Sequence, residues 1–151
     1  MRLTFKLASQ LDCDLLTKTA KTAKQHWGYS DELIEKWHDD LAITPSSFND
    51  RKIYKCYSAD QFIGFYILKD EGIFTELNGL WILPKFHGCG FGREIMNHAK
   101  SEALQLGYSY MELYADPYAD GFYQKIGGKI VGKIDTLIKD RYLNTYRFEL
   151  E

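Results

Sequence analysis

The hydrophobic pattern of this chain changes period across a run of alternating glycines, and that junction limits the folds open to it. A β-type stretch from about Ile73 to Leu83 is stopped by Pro84. From Gly90 to Leu106 the period is helical: Phe91, Ile95, Ala99, Ala103 and Leu106 share one face, and Gly107 ends it. The junction reads His87-Gly88-Cys89-Gly90-Phe91-Gly92-Arg93. Glycines at alternate positions remove Cβ atoms where the backbone comes close to something else. The first helical turn leaves N–H groups free, and the helix dipole adds partial positive charge there. Together these features make a site for an anion such as phosphate. Arg93 agrees, because a cation in a first helical turn opposes the dipole unless an anion is bound nearby. Packing alone explains two glycines; it does not explain three and Arg93.

The rest of the chain places this unit in a sheet. Leu3, Phe5 and Leu7 alternate with polar residues, as in a half-buried strand. Ser9 and Asp12 form a capping-box-like pair ahead of Leu16, Ala20 and Ala23. Ser30, with Asp31 and Glu32 behind it, opens a second helix whose apolar stripe is Leu33, Ile34, Trp37 and Leu41. Residues 52–58 and 62–69 are strands joined across Ala59-Asp60, and Asp70-Glu71-Gly72 turns the chain into the strand before the glycines. A strand (Tyr108 to Tyr114), a short helix (near Tyr118 to Ile126) and two closing strands follow, with Tyr146, Phe148 and Leu150 alternating in the last. The order β-α-α-β-β-β-α-β-α-β-β, without linker or repeat, predicts one α/β domain over residues 1–151. Its sheet is expected to be mixed, mostly antiparallel and flanked by helices.

Charge and cysteine usage narrow the function classes. A net charge of −2 gives no basic footprint for nucleic acid and no polybasic membrane patch, so neither is expected as a partner. No apolar run approaches the ~20 residues of a membrane span. The alternating start is a strand pattern and not a signal peptide, so a cytoplasmic location is expected. Cys13, Cys56 and Cys89 are widely spaced and have no Cys/His ligand pattern, so no disulfide framework and no metal site are expected.

The anion has several possible identities. A Walker A loop requires Gly-Lys-Ser/Thr, which is absent. A dinucleotide fingerprint requires a third glycine where Arg93 stands, although Asp116 lies about as far downstream as the acid of that motif. Three antiparallel-looking strands also precede the loop, which leaves a dinucleotide oxidoreductase as the third-ranked reading.

At this point the chain resembles the GCN5-related N-acetyltransferase (GNAT) superfamily. Its pyrophosphate loop, Arg/Gln-x-x-Gly-x-Gly, is matched by His87-x-x-Gly90-x-Gly92, preceded by the strand end Leu80-Trp81-Ile82-Leu83-Pro84. Downstream, the run from Asp116 to Gly127 resembles Asn-x-x-Ala-x-x-Phe-Tyr-x-Lys-x-Gly. The resemblance implies a GNAT-like domain with acetyl-CoA as acyl donor, its pantetheine arm pairing like a strand with the backbone of Leu80, Trp81 and Ile82. It implies further that Gly88, Cys89, Gly90, Phe91, Gly92 and Arg93 hold the pyrophosphate. His87 and Asp116 fall at cofactor positions but depart from the usual Arg/Gln and Asn, and Asp116 adds charge near a polyanion. Asn78-Gly79 is a strong local hairpin signal; the resemblance favours a β-bulge there instead.

The implied reaction moves an acetyl group to a primary amine of a small molecule or peptide, by direct transfer in a ternary complex. A base must deprotonate the ammonium, and orientation supplies much of the rate. By resemblance Tyr123 stands beside the CoA sulfur as acid, while its neighbour Phe122 is read as packing. Glu76 is the candidate base, ahead of His38 and Glu112. Cys89 is read as a backbone contributor and not a nucleophile. Trp27 and Tyr29 are candidates for the acceptor pocket. A homodimer is possible by analogy. The alternative function is an acyl-CoA-binding sensor or interaction domain that has lost turnover.

Overall fold

The computed structural model describes residues 2–136 and 138–151. Its strands are β1 (Leu3–Leu7), β2 (Arg51–Ser58), β3 (Gln61–Asp70), β4 (Thr75–Ile82), β5 (Tyr110–Ala115), β6 (Lys129–Asp135) and β7 (Tyr142–Glu149). Its helices are α1 (Cys13–Gln25), α2 (Asp31–Lys36), α3 (His38–Leu41), α4 (Phe91–Gln105) and α5 (Asp120–Lys125). The strands form one sheet in the order β1-β2-β3-β4-β5-β7-β6, antiparallel throughout except for β4 with β5. The α/β architecture is as the element order predicts. No helix among the described residues is long and apolar enough to cross a membrane.

Local chemistry explains the element boundaries. The Ser9–Asp12 capping box forms, but it closes a short 3-10 turn and the α-helix begins at Cys13. Ser30 Oγ accepts from Leu33 N at 3.2 Å and starts α2. Ala59 and Asp60 both adopt positive φ, 49° and 67°, which matches the twist of the β2–β3 hairpin. The fourth strand is shorter than its apolar pattern: Glu71 N donates to Phe74 O, tying Ile73 and Phe74 into the preceding turn. Tyr108, expected in β5, instead precedes it and its hydroxyl donates to Asp70 at 2.7 Å.

Both faces of the sheet are covered, which accounts for the continuous apolar run in β3. Tyr66 and Leu68 face a core with Ile95, Met96 and Ala99 of α4, while Phe65 and Ile67 face Leu16, Ala20 and Ile34 of α1 and α2. Asn78-Gly79 does not turn the chain. β4 runs through it, and the register step from Leu68↔Leu77 to Ile67↔Gly79 leaves Asn78 as the extra residue of a bulge.

On the α4 side, Tyr66 Oη lies 2.7 Å from His98 Nδ1, and Phe5 stacks on the imidazole at 3.7 Å. Burial lowers the His98 pKa below its ordinary 6.5, against the opposing pull of Glu102. The unfolded chain therefore takes up this proton more readily than the folded one, and stability falls as pH drops through 6.5 toward the lower folded value. Urea midpoints should decline from pH 7.5 to 5.5, and His98→Gln should flatten that part of the profile. Ile95→Ala should cost ~2–5 kcal/mol in the same assay at any pH.

Candidate active site

Where β4 and β5 part, they leave a cleft of about 580 Å³. Pairing between them is confined to Thr75↔Met111 and Glu76↔Glu112. Beyond that point β4 keeps β3 on one side, with Leu80, Trp81 and Ile82 opposite Tyr66, Phe65 and Gly64, and its other edge has no strand. An open edge of this kind accepts an extended ligand arm by strand addition. The lining brings together Trp27, Glu76, Leu80, Trp81, Ile82, His87, Gly88, Gly90, Phe91, Gly92, Arg93, Asp116 and Tyr123. Two expected residues are not on it: Cys89 and Tyr29.

The glycine loop ends the cleft at the start of α4. Gly90 is the N-cap in left-handed conformation, φ 80°, and no side chain caps the helix, so its first N–H groups remain available. Gly92 has a different reason to be glycine: a Cβ there would lie 3.1 Å from the Phe122 ring. Arg93 makes no ion pair or hydrogen bond among the described residues. Sequence reasoning missed Arg2, whose Nη2 donates to Cys89 O at 2.7 Å and whose guanidinium lies 4.6 Å from the centre of the Phe91 ring. Glu94 of α4 in turn accepts from the backbone N–H groups of Arg2 and Leu3. The Cys89 thiol is exposed. His87 folds back, its Nε2 2.8 Å from Ile82 O, and packs edge-on against His26.

Tyr123 is held by Phe122 and Tyr146 and is 8% exposed. Its hydroxyl makes no hydrogen bond to another described residue, and because no side-chain N or O sealed from solvent lacks a partner among the described residues, that oxygen opens onto the cleft. Burial raises the phenol's pKa well above its ordinary value, so it stays protonated as a donor. Glu76 accepts from Asn78 Nδ2 at 3.0 Å. Its register partner Glu112 is taken by Arg147, Nε to Oε2 2.7 Å, which removes Glu112 as a free base. His38 sits on α3 near Glu35, off the cleft lining.

Asp116 is occupied by protein donors. Oδ2 accepts from Lys24 Nζ and from Arg141 Nη2, both at 3.0 Å, while the Tyr118 N–H and the Tyr29 hydroxyl also donate to the carboxylate. The charge that a polyanionic ligand would oppose is thereby answered, and Tyr29 serves this network from behind the wall. Trp27 closes over the cleft, 6.2 Å from Trp81 and stacked on Tyr118 at 5.9 Å. No local pattern marks Lys24 or Arg141, because they meet Asp116 only through the fold. No group of side chains that could hold a metal ion occurs among the described residues.

The model of the acetyltransferase (GNAT) family matches residues 15–128. The chain belongs to that family. The GNAT chain is 36% identical over 74 residues to the peptidyl-lysine N-acetyltransferase YjaB of Escherichia coli (strain K12), covering 49% of this chain and 46% of that one. It spans about half the length of the curated relatives it matches. Among solved structures, the PaiA N-acetyltransferase of Thermoplasma acidophilum, in complex with coenzyme A, superposes with a TM-score of 0.76 at 22% identity, covering 99% of both chains. A GNAT family acetyltransferase from Elizabethkingia anophelis with acetyl-CoA bound gives a TM-score of 0.70 at 18% identity, again covering 99% of both.

The Gly92–Phe122 contact is open to test in this GNAT chain. Gly92→Leu should lower stability by ~1–3 kcal/mol through overpacking. Adding Phe122→Leu should recover part of that loss in chemical denaturation.

Proposed function

We propose that this chain is an acetyl-CoA-dependent N-acetyltransferase that transfers the acetyl group directly to a primary amine of a small molecule or peptide. One observation carries the reading: a single cleft joins an uncapped helix N-terminus, an open strand edge and a phenol whose ring is buried and whose hydroxyl is left open to the cleft. Family membership and the named activity of the curated relative support it, as do fold neighbours with coenzyme A or acetyl-CoA bound. The residues fit the donor. The loop N–H groups with Arg93 suit a pyrophosphate, the β4 edge suits an amide-bearing arm, and Tyr123 suits a sulfur.

Acetyl-CoA supplies an activated thioester, and the protein supplies placement and proton transfer. Glu76 takes a proton from the acceptor ammonium, directly or through water, and frees the amine lone pair. The new C–N bond forms as the C–S bond breaks. The Tyr123 hydroxyl, firmly protonated at neutral pH, passes its proton to the leaving sulfur, and the second proton shed by the acylated nitrogen restores the phenol, leaving amide and free thiol as products. No enzyme nucleophile is needed, because both substrates lie in one cleft.

Acetyl-CoA and CoA should raise the melting temperature and NAD should not; the absence of a shift with either CoA species would sink this reading. Tyr123→Phe should lower kcat by ~10²–10⁴-fold with acetyl-CoA affinity nearly unchanged. An unaltered rate in that variant would indicate a CoA-binding domain without Tyr123 chemistry. Initial velocities should give intersecting, sequential patterns. The exposed Cys89 thiol should react with iodoacetamide, and saturating acetyl-CoA should slow that reaction if the loop holds the pyrophosphate.

A further inference from the structure

Lys24 and Arg141 share one carboxylate. Both donate to Asp116 Oδ2, and neither has another acidic partner within ion-pair distance among the described residues. Asp40 attracts Lys24 only weakly, from the exposed surface of α3. The cluster therefore carries one more positive charge than it answers, in side chains only 13% (Lys24) and 15% (Arg141) exposed around an Asp116 that is 7% exposed. Burial lowers the Lys24 pKa, while Asp116 opposes that shift. Charge this far from water is costly unless it is paired.

Both cations also keep unused donors. Lys24 Nζ has three N–H groups and makes one hydrogen bond among the described residues, and Arg141 uses only Nη2, toward Asp116 and Tyr29. Aromatic rings flank both cations. Lys24 Nζ lies 4.5 Å from the centre of Trp37, and Arg141 Cζ lies 4.9 Å from the same ring. Aromatic faces hold a cation in place without neutralising it. Lys24 lines the cleft, and so does Glu76 at the end where β4 and β5 are still paired. The cleft thus has an acidic closed end and, at Lys24, a basic wall; Arg141 stands behind Asp116 and off the lining. The donor's phosphates have their own cation in Arg93 at the glycine loop, which leaves the Lys24–Arg141 charge for the other substrate.

Building on the acyl-transfer reading, we propose that the amine acceptor carries a carboxylate, bound by Lys24 with Arg141 adding its charge from behind Asp116, while Glu76 faces its ammonium. An amine without an acid group leaves the excess charge unanswered and is itself repelled by it. A zwitterion matches both ends of the cleft. Free amino acids offer this chemistry, and so does a peptide lysine beside an acidic residue.

Thiol release from acetyl-CoA is measured with matched acceptors: lysine against cadaverine, phenylalanine against phenethylamine, and a lysine peptide with a flanking glutamate against its glutamine counterpart. In at least one pair, kcat/KM should be ~10-fold or more higher for the acid-bearing member, and Lys24→Met and Arg141→Met should erase that preference with the acetyl-CoA KM changed less than about twofold. The productive pair tells a free amino acid from an acidic peptide. Equal or better turnover of the members without the acid overturns the proposal and leaves the acyltransferase reading standing. A weakened acetyl-CoA KM in either variant also overturns it, since the cations would then serve the donor. So does an absence of turnover with every acid-bearing acceptor. If acetyl-CoA also fails to stabilise the protein, the underlying reading falls too. The wild-type comparison decides the matter even where a variant does not fold.

Discussion

Two backbone pairs, Thr75 with Met111 and Glu76 with Glu112, are all that join β4 to β5, and the cleft exists because the pairing stops there. Each strand is nevertheless well anchored on its far side, β4 by β3 and β5 by β7 from Tyr110 to Ala115. The lips of the cleft are therefore stiff although they do not touch. Strand separation inside a sheet leaves backbone N–H and C=O groups in need of partners. A ligand with amide groups of its own answers that need in a way an apolar ligand cannot. The bulge at Asn78 lies two residues beyond the last pair and bends β4 where the strands diverge.

Around that opening, ionisable groups are sorted by their partners. Glu112 is neutralised by Arg147, Asp116 is surrounded by donors, and Tyr123 is kept protonated by burial. Glu76 alone among the cleft carboxylates has only an amide for a hydrogen-bond partner. The same fold that closes two cores against β3 thus decides which carboxylate stays available at the point of strand separation.

Much of this was legible in sequence because its causes are local. The change of period across the glycines, the Ser9 and Ser30 caps and the hairpin at Ala59-Asp60 each depend on residues within one or two turns. Asn78-Gly79 shows the limit: its local signal is a hairpin, and the pairing of β4 with β3 overrides it. Asp116 was visible as a motif position but not as a hub, because Lys24 lies on α1 and Arg141 between the last two strands. Arg2 was hidden for the same reason, since its contact with Cys89 spans most of the path from β1 to α4. Tyr29 reads as a pocket wall because an aromatic residue after a helix gives no hint that its hydroxyl is tied, from behind that wall, to the carboxylate of Asp116.

The Arg2 contact has a practical side. It fastens the opening of β1 to the carbonyl of Cys89 and to the first turn of α4, so the chain's first strand and the glycine loop form one mechanical unit. A substitution at Arg2 would therefore be felt at the glycine loop and the first turn of α4, although it lies in a different element.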